Sequence, residues 1–116
     1  IKGWLEDGKH KEKVFDVACS DGLIVDQETH RCPENKAWVD LSDCSISADS
    51  GDKEMKVLWQ DPEFKGNQDA FYYARIIENP VCRWSTWDSI RAGEKPRSDI
   101  PVTIQERAWS SPIWLN

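Results

Sequence analysis

A chain of 116 residues suits one domain with one core, because a domain of this size buries roughly two-thirds of its unfolded surface. A net charge of −6, from 15 basic and 21 acidic residues, argues against a nucleic-acid backbone or an anionic membrane as partner. No apolar run approaches the roughly 20 residues of a membrane span, and no basic-then-apolar leader precedes the first apolar residues.

The chain begins at Ile1, inside what reads as a hairpin, so it is expected to be a piece of something longer. Lys2-Gly3-Trp4-Leu5 and the run from Lys9 to Cys19 flank Asp7-Gly8, a dipeptide that tolerates positive φ at both positions and predicts a tight β-turn. Ser20 to Lys36 is rich in Asp, Gly, Glu, Pro and Asn, with only Leu23-Ile24-Val25 apolar, and reads as a loop tied at its ends. Asp26 and Glu28 lie within it, but the alternating ligand spacing of a calcium loop is absent. Ala37 to Leu41 predicts a short strand, and Glu54 to Trp59 another, with Met55, Val57 and Trp59 alternating against Glu54, Lys56 and Leu58. Asp61-Pro62 stops that second strand, and Lys65 to Asp69 turns the chain back, so it is expected antiparallel to the next run.

That next run, Ala70 to Glu78, is the expected central strand, because Phe71, Tyr72, Tyr73, Ile76 and Ile77 suit a pleated and largely buried surface. Both of its faces need cover, which points to two layers. Thr86 to Ala92 is the one convincing helix, with Ser85 or Thr86 as N-cap and Gly93 as left-handed stop. Val102 to Trp109 alternates as a strand, Ser110-Ser111-Pro112 predicts a bend or bulge, and Ile113-Trp114-Leu115 completes a last short strand. The fold class is thus mainly β: an antiparallel, two-layer sandwich-like domain over residues 1–116, with one short helix inserted before the last strands.

Cys19, Cys32, Cys44 and Cys82 contain no close pair, and His10 and His30 lie in polar surroundings, a weak pattern for zinc and one that assigns no metal ligand. Four cysteines allow three disulfide connectivities, which sequence alone does not separate. The local layout favours Cys19 with Cys32, across a turn-rich excursion, leaving Cys44 and Cys82 beside strands that could be neighbours. Two bridges imply an oxidising compartment, periplasmic or secreted; four buried thiols in a cytoplasmic protein are the plainer alternative.

Trp59-Gln60-Asp61-Pro62-Glu63-Phe64, Ala70-Phe71-Tyr72-Tyr73-Ala74-Arg75, Cys82-Arg83-Trp84-Ser85-Thr86-Trp87-Asp88 and Thr103 to Trp114 together resemble the C-terminal end of a large bacterial family of unknown function. Gly3-Trp4-Leu5 and Asp16-Val17-Ala18 extend the resemblance over nearly the whole chain. The family's upstream part resembles metal-dependent hydrolases of the polymerase and histidinol phosphatase (PHP) class. The resemblance therefore implies a divalent metal and its histidine ligands upstream, with no cofactor held by these residues. Four cysteines depart from the commoner form and imply an exported, bridge-reinforced branch.

Three roles compete. The first is a non-catalytic accessory domain that packs on an upstream hydrolase-like, phosphoesterase-like domain of the same chain, with Arg83, Arg91, Arg107 and Asp88 as charged groups able to reach its cleft. Arginine suits this because it holds a phosphate or carboxylate in two parallel hydrogen bonds; cross-strand or surface charge is the plainer account of Glu106 and Arg107. The second is a carbohydrate or small-ligand module using exposed tryptophans, for which Trp84, Trp87 and Trp109, with Arg83 and Arg107, are the candidate ligand-binding residues. Packing between layers is the plainer use of seven tryptophans. Autonomous catalysis has the least support, since no Ser/His/Asp constellation is visible and bridged cysteines are not nucleophiles. No catalytic residue is assigned.

Overall fold

A computed structural model of the chain describes residues 1–115. Its first element is the expected hairpin: β1 (Lys2–Glu6) turns through Asp7 and Gly8, at φ of 51° and 71°, into β2 (Lys9–Lys13). Two successive positive φ values match the right-handed twist of the strands, which is why Asp-Gly works here. The register runs from Lys2 opposite Lys13 to Glu6 opposite Lys9, so β2 presents a lysine-rich outer edge that discourages further pairing.

From Val14 to Asp69 the chain is irregular. The strand expected over Ala37 to Leu41 reduces to one bridge between Val39 and Ile46. The strand expected over Glu54 to Trp59 pairs with nothing among the described residues, so it forms no ladder with the following run.

The expected central strand is divided between two antiparallel sheets: β3 (Ala70–Tyr72) joins the order β2-β1-β3-β6, while β4 (Arg75–Cys82) pairs with β5 (Thr103–Trp109). The last strand, β6 (Ile113–Leu115), returns to β3. The registers explain the division. Tyr72 faces Ile113 and Arg75 faces Trp109, so Tyr73-Ala74 lie opposite the longer Ser110-Ser111-Pro112. That extra residue is the predicted bulge, and it bends one long ribbon into two sheets. The bend is held by the Ser110 amide donating to the Ala74 carbonyl at 3.0 Å, while the Ala74 amide donates to Ser110 Oγ at 2.9 Å.

The single helix, α1 (Trp84–Ala92), begins two residues before the expected start. Its N-cap is Arg83, whose side chain has no acceptor to offer, and the expected caps Ser85 and Thr86 fall inside the helix, so no side-chain cap is made. Thr86 Oγ1 instead donates to the Val102 carbonyl at 2.7 Å, tying the helix to the approach of β5. Gly93 closes it at φ 70°, as predicted.

Both bridges are those favoured by the layout: Cys19 with Cys32, and Cys44 with Cys82. The second fastens the irregular region to the end of β4. Between them, the Asn35 amide donates to Asn79 Oδ1 at 2.7 Å and the Asn79 amide to the Ser50 carbonyl at 2.8 Å, so polar bonds join these loops to β4.

Few apolar side chains are buried. Among the described residues the buried ones are Phe15, Cys44, Ala70 and Cys82. The radius of gyration is 18.4 Å, against about 13 Å for a compact domain of this length.

Candidate functional site

The most enclosed charged group among the described residues is a clamp between β1, β3 and the segment after Trp59. Lys2 is 2% exposed, and its Nζ donates to Asp61 Oδ2 at 2.7 Å and to the Glu63 carbonyl at 3.3 Å. The Tyr72 hydroxyl, placed opposite Lys2 by the β1–β3 register, donates to the same Oδ2 at 2.6 Å. The Glu63 amide donates to Asp61 Oδ1 at 2.8 Å, an Asx turn that suits Asp before proline. The Lys2 ammonium also sits 5.1 Å from the Trp4 ring centroid and 5.8 Å from that of Tyr72. Lys13, opposite Lys2 on β2, pairs with Glu63 at the rim.

Electrostatics fix the clamp in its charged form. Burial pushes the Asp61 carboxyl up, but bonds from Lys2, Tyr72 and the Glu63 amide outweigh it and hold the group below its ordinary value. Burial, then the bond to Asp61, pushes the Tyr72 phenol well above its ordinary value. Asp61 is thus held as an acceptor and the Tyr72 hydroxyl as a donor, and through them the trio fastens β1 and β3 to the segment after Trp59.

Beside the clamp runs an open groove of about 1450 Å³. Phe15, Trp59, Tyr72 and Ile113 line it near the clamp, with Ile76 and Ile104 on the side of β4 and β5. An aromatic series marks its floor: Phe15 to Trp59 at 5.2 Å and Trp59 to Tyr72 at 6.3 Å between centroids. Met55, Val57 and Trp59 line the groove, whereas Glu54, Lys56 and Leu58 do not, so the alternation read from the sequence is real in space.

The opposite face of the four-stranded sheet carries Gly3, Leu5, Phe71 and Trp114 around a shallow hollow of about 260 Å³. The Phe71 ring rests on the backbone of Gly3, so close that a Cβ there would fall 2.3 Å from it. Trp114 meets Phe71 at 4.9 Å. Leu5 and Trp114 are exposed.

The residues singled out in the sequence fall into two groups. Arg83, Trp84 and Trp87 lie together at the start of α1, with Arg91 over the Trp87 ring at 5.4 Å. Arg83 Nε is buried and has no hydrogen-bond partner. Arg107 and Trp109 lie toward the other end of the β4–β5 ladder, opposite Ile77 and Arg75. Six residue steps along β5 lead from Thr103, beside the helix, to Trp109, a span of about 20 Å. The three tryptophans therefore form no single row. Among the described residues no three His, Cys, Asp or Glu side chains gather at metal-binding distance. Asp26 is occupied locally, accepting from the Glu28 and Thr29 amides and the Thr29 hydroxyl.

The clamp has no signature in sequence. Lys2 and Asp61 are 59 positions apart, and Asp61-Pro62 reads simply as a strand stop. Residues 1–116 match a family described as protein of unknown function (DUF3604). No curated protein and no solved structure matches the chain.

Proposed function

We propose that this chain, which belongs to the DUF3604 family over residues 1–116, is a non-catalytic accessory β-domain that packs against an upstream, hydrolase-like domain of the same polypeptide. The observation that carries this is surface. The chain exposes 9320 Å², whereas a compact protein of this mass exposes about 6500 Å². The excess of roughly 2800 Å² is more than three times the ~800 Å² that one partner contributes to a standard interface. Much of it is apolar: Leu5 and Trp114 on the open sheet face, Met55 and Val57 in the groove, Trp84 and Trp109 beyond.

The upstream partner as a metal-dependent, phosphoesterase-like hydrolase rests on the resemblance described above, and its divalent metal would be held outside these residues. Two disulfides support a periplasmic or secreted location. The test is side-chain footprinting of the intact protein together with deletion of residues 1–116. Leu5 and Trp114 are expected to be shielded, and the deletion to abolish folding or turnover. Full labelling of both residues, or undiminished turnover without the segment, refutes the proposal.

A carbohydrate or small-ligand module is the second reading, supported by the exposure of Trp84 at 76% and Trp109 at 60%. It requires that these tryptophans stay exposed in the intact protein and that an oligosaccharide titration shift their fluorescence. A silent titration removes it.

A further inference from the structure

The segment between Asp52 and Asp61 carries the side-chain alternation of a strand and joins no sheet. Among the described residues, no backbone amide or carbonyl of residues 53–60 makes a hydrogen bond, and the whole segment is exposed. It is nevertheless anchored at both ends. The Asp21 amide donates to Asp52 Oδ2 at 3.0 Å, next to Gly51, whose amide donates to Asp21 Oδ1 at 2.8 Å. At the far end Asp61 is seized by Lys2 and Tyr72. Met-Lys-Val-Leu-Trp is strand-forming sequence, and its alternate side chains already point one way, into the groove.

From this juxtaposition we infer that residues 54–59 are a docking edge to which an extended strand of the upstream domain adds by backbone pairing. The inference rests on the accessory-domain proposal and names the contact that domain makes. A row of alternating amides and carbonyls at strand spacing is matched by another extended backbone and by no lipid, nucleic acid or small ligand. The other edges are guarded: β2 by its lysines, β6 by its length of three residues after Pro112, β4 by Glu78 and Pro80, and β5 by Glu106 and Arg107. Glu54 and Lys56 face away from the groove, so the incoming strand is expected to set a basic side chain against the first and an acidic one against the second. The surface excess leaves ample area for it. Pinning both ends in advance lowers the ordering cost of the union.

Hydrogen exchange of the intact protein, measured at two concentrations, tests this. Amides within residues 54–60 are expected to exchange at least ~100-fold slower than open coil, equally at both concentrations. Successive amides of a strand point to opposite edges. Lys56→Pro and Val57→Pro are therefore expected to act unequally, one removing the protection and the other sparing most of it. Coil-like exchange across 54–60 overturns the inference. So does protection that grows with concentration, which would make the occupant a second copy of the chain. If a proline variant fails to fold, the wild-type pattern decides alone. Footprinting at Leu5 and Trp114 separates the two proposals: shielding there with coil-like exchange at 54–60 sinks the strand alone, while exposure at both places sinks both.

Discussion

Removing the Asp61 carboxylate tests the clamp most directly. The Lys2 and Asp61 side chains are 3% and 5% exposed, so Asp61→Ala strands an ammonium between the Trp4 and Tyr72 rings with the Glu63 carbonyl as its remaining oxygen partner. It also strips partners from the Tyr72 hydroxyl and the Glu63 amide. Breaking a buried pair from one side costs about 3–5 kcal/mol. Lys2 starts β1 and Tyr72 ends β3, so the loss falls on that strand pair. Exchange of the β1 and β3 amides in the intact protein should therefore accelerate by roughly 150- to 5000-fold. The double change Lys2→Met with Asp61→Leu replaces the pair by apolar groups and should recover most of the loss, since well-packed apolar substitutes for buried pairs are often neutral. An acceleration below about fivefold for Asp61→Ala, or a double variant as weak as the sum of the singles, would show that the clamp does not hold these strands.

Other perturbations follow from the same geometry. Because the folded Asp61 carboxyl lies below its ordinary value of 3.8, its stabilisation is complete above that pH and is lost as pH falls through the folded value. Acid titration followed by β1 exchange should accordingly show a late step that Asp61→Ala lacks. Gly3→Ala forces a methyl into the Phe71 ring and should cost about 1–3 kcal/mol, with partial relief when Phe71→Leu is added; unchanged stability would contradict the close approach. Thr86→Val removes the bond to the Val102 carbonyl at a buried site and should loosen α1 by about 1–3 kcal/mol, read as faster exchange in residues 86–92. Peptide mapping without reductant should recover Cys19 linked to Cys32 and Cys44 linked to Cys82. Breaking the second, which closes the longer loop, should cost about 4 kcal/mol against about 3 for the first.

Local signals carried the elements whose cause is local. Asp7-Gly8 and Gly93 need left-handed backbone, and Ser110-Ser111-Pro112 lacks a full set of ladder donors, so each could be placed from residue type alone. The run from Ala70 to Glu78 shows the limit. Nothing in Tyr73-Ala74 interrupts β propensity; the strand divides there because its partner, 36 positions away, carries one residue too many. The clamp failed to register for a similar reason, since Lys2, Asp61 and Tyr72 each have an ordinary local use and acquire a common one only when β1 pairs with β3. Glu54 to Trp59 is a different case. Its alternation correctly told which side chains share a face, and the pairing inferred from it was absent because no strand among the described residues lies beside it.

The spread of the tryptophans bears on the choice between the two proposed roles, a ligand platform and a protein interface. Six of the seven are exposed: Trp38 in the irregular region, Trp59 in the groove, Trp84 and Trp87 on α1, Trp109 at the end of β5 and Trp114 on the open sheet face. A sugar chain would need several of them coplanar within a few ångströms of one another, yet the β5 span alone puts about 20 Å between the Trp109 end and the helix end. Large aromatic side chains dispersed over several faces are instead what a broad protein contact uses, each anchoring its own pocket on the partner. If that is their purpose, single alanine substitutions at Trp109 and Trp114 should each weaken docking of the segment in the intact protein by about 2 kcal/mol or more, independently of one another, because no shared ligand couples them. Strong coupling between the two would mean that one ligand spans them, and the interface would have to be abandoned.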